Sequence, residues 1–447
     1  MKRVVSILAV VAMVAVFVTP GFAVTEKEWT FAVFLNAHNN LDQYGVSNLE
    51  QMTRVGSNDN LNIVSMTDRE SDSCSYQYIE KGNIKTLQEL GSVDMGDYKV
   101  LEKFGHWVKE NYPAKHYVFI VWNHGSGWNK DASGVTKGIS YDDGSGNHIT
   151  TPQLGQALAD IKNTIGQNID IFGMDACLMQ MMEVSYEIKD SCDYILGSEQ
   201  TEPGDGYPYD NFLKCLTPGV TAENFGIGMV KEFATAYSGG CFGNSDVTTS
   251  LVKTSALSTL KDAIDGFAKV AIAGKYAPQF KTALTQVQKF YYATNIDLIH
   301  FATLIKAAAK DQVMKDACQK LLDAAKAAIP QNGATGQTMK NANGLAIYFP
   351  ISSASFDKSY STLAYAQAGQ WDEMVFDYYK KAAVKDIVSD LQNGSTNALA
   401  DFVRTNNDAE IAGYVVSAIN FAVYCEGGFS KPIEMSVKNL ISELNNK

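Results

Sequence analysis

The sequence predicts an α/β fold, a mostly parallel β-sheet flanked by helices on both faces, with a helical and mixed C-terminal extension. Three observations carry this prediction. Six short runs are nearly all apolar and rich in β-branched and aromatic residues, the pattern of strands buried on both faces. Stretches with helical periodicity alternate with them, as the crossovers of a parallel sheet require. The chain has 447 residues, 46% of them hydrophobic, enough for one large or two to three modest domains.

Taken in order, the first element is an address label. Lys2 and Arg3 form a basic start, Val4 to Val18 an apolar run, and Pro20-Gly21-Phe22-Ala23 a small-residue cleavage site. The run is short for a membrane span, so residues 1–23 read as a secretory signal peptide and the mature chain starts near Val24. No cysteine stands at that point to carry a lipid, and no later stretch is long and apolar enough to cross a bilayer. The expectation is an exported protein, secreted or periplasmic, with no membrane partner. Strands follow at Trp29–Leu35, Leu61–Met66, Tyr117–Trp122, Ile169–Met174, Tyr194–Gly197 and Leu345–Phe349. Helical periodicity covers Val100–Glu110, Thr151–Thr164 and Gln180–Ile188, and several Ala/Lys/Leu-rich helices fill roughly 250–335. Thr150-Thr151-Pro152-Gln153 has the form of a helix cap with proline in the first turn. The expected division is a main domain over 24–350 and an extension of unassigned role over 351–447.

Charge and cysteines bound the function. A net charge of −12 and the lack of a clustered Lys/Arg patch argue against a nucleic-acid partner. Seven cysteines, Cys74, Cys177, Cys192, Cys215, Cys241, Cys318 and Cys425, are open to two readings. In an oxidising compartment six can pair and leave one free thiol; equally, they can serve as small buried hydrophobes.

Two strand ends stand out. The run Val118 to Trp122 stops at Asn123-His124-Gly125-Ser126-Gly127-Trp128, and Ile169 to Met174 stops at Asp175-Ala176-Cys177. Chemistry in parallel sheets collects at the C-terminal strand ends, so His124 and Cys177 are expected on one edge. With a helix starting at Gln180, Cys177 lies at a helix N-terminus, where free N–H groups and the dipole favour thiolate. A nearby imidazole supplies the proton acceptor and donor that acyl transfer to sulfur needs. Gly125, lacking a side chain, lets its N–H approach a developing oxyanion alongside that of Cys177. Taken singly, a strand-end histidine is an ordinary polar terminus and a lone cysteine an ordinary core residue. The pairing is what points to chemistry. Gly125-Ser126-Gly127 does not have the G-x-S-x-G spacing of a serine elbow.

These stretches resemble the clostripain-like cysteine peptidases, relatives of caspases, gingipains and legumain. The resemblance runs through WTFAVFLNAHNNLDQYGVSNLEQM (29–52), NHGSGW (123–128), ISYDDGSGNHITTPQL (139–154), DIFGMDACLMQMMEVSYEI (170–188), EQTEPGDGYPY (199–209) and GLAIYFP (344–350). It covers roughly 27–375 and leaves the last seventy or so residues unaccounted for. It implies a caspase-like sheet, a catalytic dyad of His124 and Cys177, and cleavage after Arg or Lys. A basic substrate residue needs a carboxylate at the pocket floor. Asp175 occupies the matching position, although an aspartate there also suits a helix cap. Asp205 falls in the pocket-wall block, although between glycines it also suits a turn. Trp128 is expected to wall the cleft. Relatives of this type are cut between the two catalytic residues. Lys130 and Lys137 lie there in a polar, glycine-containing loop, and Lys137 is preferred because Asp131 follows Lys130.

Asp142-Asp143-Gly144-Ser145-Gly146-Asn147 has calcium-loop composition without the spacing, and no histidine pair has zinc spacing. No cofactor is expected to be required; the resemblance, with calcium-dependent members, keeps calcium open. The expected partners are peptides or proteins with a basic residue at the cut, and the expected form a monomer or a self-processed two-chain molecule. Two rivals remain, a non-catalytic peptide binder on the same scaffold and a transpeptidase using the same dyad.

Overall fold

The computed structural model describes residues 25–128, 138–352, 356–405, 412, 415, 416, 419 and 436–442. The expected signal peptide, Cys425, and both cleavage candidates, Lys130 and Lys137, lie outside the described residues.

The first five strands are β1 (Lys27–Ala37), β2 (Leu61–Arg69), β3 (Cys74–Glu80), β4 (Asn83–Gly91) and β5 (Ala114–Trp122). A hairpin of β6 (Gly138–Asp142) and β7 (Asn147–Thr150) precedes β8 (Ile169–Asp175) and β9 (Cys192–Gly197). Then come β10 (Ser238–Gly240), β11 (Gly243–Asn244), β12 (Thr248–Lys253), β13 (Asn295–Asp297), β14 (Gln331–Ala334) and β15 (Ala346–Tyr348). Nine of these form one sheet in the order β14-β12-β9-β8-β5-β1-β2-β3-β4. The five central strands, β9 to β2, are parallel. The outer pairs β3–β4 and β12–β14 run antiparallel. The predicted mostly parallel sheet is therefore present, with antiparallel margins.

Helices cover both faces. One face carries α1 (Asp42–Val55), α5 (Tyr209–Lys214) and α6 (Ala222–Ala236); the other carries α2 (Tyr98–Asn111), α3 (Thr151–Ile165) and α4 (Met182–Ile188). Strand β5 shows how the sequence divides between them. Val118, Ile120 and Trp122 point into the first core, and Tyr117, Phe119 and Val121 into the second. Truncating a buried aromatic such as Phe119 would cost about 3–5 kcal/mol. A strand gripped this way presents its last residues rigidly. The expected cap of α3 is present, with Pro152 in the first turn, and Thr150 and Gln153 complete it as a capping box.

Four helices, α7 (Leu257–Ala273), α8 (Ala277–Gln286), α9 (Leu298–Ala308) and α10 (Gln312–Ala328), fill the expected helical stretch. Three expectations change. The strand predicted at 345–349 does not join the main sheet; β15 pairs antiparallel with β13 in a sheet of their own. The helix predicted from Gln180 starts at Met182. The division expected at residue 350 falls inside a continuous core. Trp371 of α11 (Trp371–Gln392) is buried against Phe301 and Phe349, and its Nε1–H donates to the Tyr348 carbonyl at 2.7 Å. Packing changes further on, where Ile387, Leu391, Leu399 and Val403 begin a separate cluster. No described helix is long and apolar enough to cross a membrane.

Candidate active site

The register of β5 against β8 brings the two odd strand ends together. Trp122 pairs with Asp175, the last residue of each strand. His124 and Cys177 each stand two residues beyond that pair, on one edge of the sheet. The contact is close: a Cβ on Gly125 would lie 2.5 Å from the Cys177 carbonyl oxygen, so only glycine fits. Asn123 welds this edge. Its N–H donates to the Asp175 carbonyl at 3.2 Å. Its Nδ2 donates to the carbonyls of Asn36 and Tyr141, and its Oδ1 accepts from Tyr141 N–H at 2.6 Å.

Cys177 does not sit at a helix N-terminus, as the sequence suggests. The chain turns sharply after it, with Leu178 at φ +66°, and runs on before α4 begins. A γ-branched residue in the left-handed region stores strain that the surroundings must hold. The surroundings are the segment 198–202: Leu178 N–H donates to Gln200 O and Gln180 N–H to Ser198 O. The same segment engages the thiol, since Glu202 N–H donates to Cys177 Sγ at 3.2 Å. Burial pushes the thiol above its ordinary range, opposed in part by that N–H. His124 is half-buried, with Nε2 2.7 Å from Asn40 Oδ1. Burial holds its imidazole below the ordinary range, with nearby Asp143 pulling the other way. Both shifts favour the neutral pair, thiol and imidazole, in this conformation.

Asp175 is buried at the end of β8. Its Oδ2 accepts from the Tyr209 hydroxyl at 2.8 Å and from Tyr207 N–H at 3.3 Å. Gly206, at φ +59°, crosses directly over it, and a Cβ there would come within 2.7 Å of Oδ1. Burial raises its carboxyl to about 6. No helix starts here, so the alternative of a helix cap fails. Glu202 buries both carboxyl oxygens near Asp175 and Cys177, and is pushed well above the usual carboxylate range by burial and those charges. Asp205 is exposed on the same loop, its carbonyl accepting from Asn48 Nδ2 at 3.0 Å. Trp128 is 3% exposed, its ring edge-on to Tyr348 and Tyr360. It is a core residue here and does not face a cleft.

The residues do not fit a calcium loop. Asp142 spends its carboxylate on Met95 N–H and Ser145 N–H, and among the described residues no three His, Cys, Asp or Glu groups cluster to hold a metal. Cys74, Cys192 and Cys318 are buried, Cys215 half-buried and Cys241 exposed; none of the described cysteines is paired. A cavity of about 550 Å³ lined by Trp29, Asn60, Leu61 and Pro218 lies at the opposite end of the strands and has no part in this chemistry.

The clostripain family of C11 peptidases has a sequence profile that matches residues 33–392. The chain belongs to the clostripain family. Clostripain from Hathewaya histolytica is 28% identical over 233 residues, which are 44% of this chain and 43% of that relative. The match thus spans less than half the length of that relative. Among solved structures, a secreted C11 cysteine protease from Bacteroides thetaiotaomicron, in complex with an irreversible peptide inhibitor, shares 18% identity and a TM-score of 0.61, covering 77% of this chain and 99% of that one. An inactive zymogen C11 protease from Parabacteroides distasonis gives 17% and 0.59, covering 77% and 98%. At these identities the structures attest the fold. The clostripain-family profile ends at 392, past the expected boundary at 350 and near the change in packing.

Sequence reasoning passes over four residues at this clostripain-family site. Asn123 carries a signal in hindsight, a polar residue closing an apolar strand. Asn40 and Glu202 reach His124 and Cys177 from loops distant in sequence; both lie in stretches that carry the resemblance, but nothing in their local pattern singles them out. Tyr209 begins a short helix and is told from an ordinary core tyrosine only by its bond to Asp175.

Proposed function

We propose that this protein is a secreted cysteine endopeptidase that cleaves after Arg or Lys through a Cys177 thioester, with His124 as acid and base. The observation that carries the reading is the β5–β8 register, which sets His124 and Cys177 two residues beyond the same pair with Gly125 packed on the Cys177 carbonyl. In the first step the thiol proton passes to the imidazole and sulfur attacks the substrate carbonyl carbon. The oxyanion so formed accepts from the N–H groups of Gly125 and Cys177. Collapse breaks the C–N bond as His124 returns the proton to the leaving amine. Water then attacks the thioester, giving its proton to His124, and the carboxylic acid departs as the thiol reforms. Asp175 and Asp205 supply the negative charge for a basic side chain.

In the resting arrangement the thiol is occupied by Glu202 N–H, and Asp175 by Tyr207 and Tyr209. Substrate entry therefore requires the 199–206 loop to shift. A chain made as a zymogen and cut by itself between His124 and Cys177, at Lys137 or Lys130, accounts for that arrangement; the Parabacteroides distasonis structure is described as a zymogen. The test is cleavage of a positional-scanning peptide library by the purified mature protein, alongside labelling with Arg- and Lys-containing acyloxymethyl ketones. Cutting after basic residues, lost in Cys177→Ala, supports the reading. Labelling without turnover indicates a binder, and product transfer to an added amine a transpeptidase.

A further inference from the structure

We infer that Asn40 is a positioning residue for His124, fixing which ring nitrogen is free and bracing the cation that forms during acyl transfer. The inference rests on the peptidase reading above. Asn40 Oδ1 lies 2.7 Å from His124 Nε2. An amide oxygen only accepts, so Nε2 carries the hydrogen and Nδ1 keeps the lone pair. Nδ1 is then the nitrogen that takes the Cys177 proton and later hands it to the leaving amine. When it does so the ring becomes an imidazolium, and the Nε2–H···Oδ1 bond becomes charge-assisted and stronger. A base oriented by a third group is the general logic of activated nucleophiles.

An exposed asparagine would be a poor brace if its loop could wander. Here it cannot. Asn39, 1% exposed, donates Nδ2 to the Tyr141 carbonyl at 3.0 Å and accepts from Leu41 N–H at 2.9 Å. Asn36 and Asn123 donate Nδ2 to that same carbonyl, at 3.1 and 2.9 Å. The loop that carries Asn40 and the strand end that carries His124 are thus fixed to one hub. Three neighbouring asparagines serve the hub, whereas Asn40 points its amide oxygen at the imidazole.

Among the described residues, the charged groups around the ring are few. Asp143, on the β6–β7 turn, favours the cation, and burial opposes it. Cys177 stands on the neighbouring strand end, two residues beyond the Trp122–Asp175 pair. On the Asn40 segment itself, His38 is bonded to Asp68 and Asp42 to Arg69, so neither charge is loose.

The experiment compares wild type, Asn40→Ala and Asn40→Asp in the processed full chain. It reads kcat, KM and the pH profile of kcat/KM on an arginine p-nitroanilide. Asn40→Ala should lose roughly ten-fold or more, mostly in kcat, since acid–base assistance is what it weakens. Its His124-controlled limb should move to lower pH, because the cation loses its acceptor. Asn40→Asp should move the same limb to higher pH, because a carboxylate favours the cation. A loop anchor with no bearing on the ring moves neither limb, or both the same way; either result overturns the proposal. Long-range ¹H–¹⁵N spectra of ¹⁵N-histidine-labelled protein give a second reading independent of turnover. His124 should be Nε2–H in wild type and gain the Nδ1–H form in Asn40→Ala. A His124 tautomer unchanged by that substitution overturns it even if the wild type proves inactive on every peptide.

Discussion

At the residue scale, the proposed dyad and pocket make sharp demands. Cys177→Ala should abolish peptidase activity with the thermal midpoint nearly unchanged, since a methyl fits where the thiol was. Activity above trace in that variant, measured on an arginine amide, would remove Cys177 as nucleophile. His124→Ala should lose on the order of a hundred-fold. Asp175→Asn should depress kcat/KM for Arg and Lys substrates far more than for neutral ones, because a buried cation loses its counter-charge. Equal loss across both classes would show that Asp175 acts only through its bonds to Tyr207 and Tyr209. The thiol pKa, raised by burial, gives a pH prediction for the uncut chain. Alkylation of Cys177 by iodoacetamide should be slow at neutral pH and climb only as pH rises past about 9, the ordinary thiol value. Rapid labelling at pH 7, followed by mass spectrometry, would contradict a thiol held neutral by the loop.

At the element scale, the interval between β5 and β6 is anchored hard at its far end. Gly138 begins β6 with its N–H donated to the Tyr141 hydroxyl at 3.2 Å and its carbonyl accepting from Ser126 N–H at 3.0 Å. A cut after Lys137 must free that very nitrogen. If this is the activating bond, Tyr141→Phe should speed processing several-fold, and sequencing should find Gly138 as a new N-terminus in wild type but not in Cys177→Ala. A new N-terminus at Asp131 with an unchanged rate would assign the cut to Lys130. The same elements show what the sequence reveals. β1, β5 and β8 are legible because each is buried on both faces, so nearly every residue is apolar. β4 is not, since Asn83–Gly91 is largely exposed and polar. β12 hides for another reason. Its Ser250 is fully buried but satisfied, accepting from Gln180 Nε2 and donating to the Gly344 carbonyl, so polar letters spell a core strand. The dyad is legible because strand ends are. The turn at Leu178 is not, because leucine carries no local signal for a left-handed backbone, and the helix expected to start at Gln180 rested on that missing turn.

At the scale of the whole molecule, buried acids tie the helical C-terminal part to the sheet. Glu183 of α4 accepts from Tyr348 N–H and the Tyr360 hydroxyl, and burial raises it to about 7. Its folded value lies above its unfolded value, so its contribution is intact below about pH 4.5 and is lost as pH rises through 7. A displacement of that size corresponds to roughly 3 kcal/mol. The thermal midpoint should therefore fall between pH 5 and 8, and Glu183→Gln should flatten that fall; an unaltered slope by calorimetry would exclude Glu183 as its source. The last consequence concerns the β5–β8 pairing that creates the site. A cut after Lys130 or Lys137, as proposed, would leave β1 to β5 on one polypeptide and β8, β9, β12 and β14 on another, with the ladder between β5 and β8 as their seam. The intact chain refolds as a first-order event, independent of how dilute it is. The processed form must find its other half, so its unfolding midpoint becomes concentration-dependent. If the chain is exported and cut as proposed, a processed molecule that melts at high dilution loses its partner for good, which would give the two-chain form a finite lifetime that the intact chain does not share.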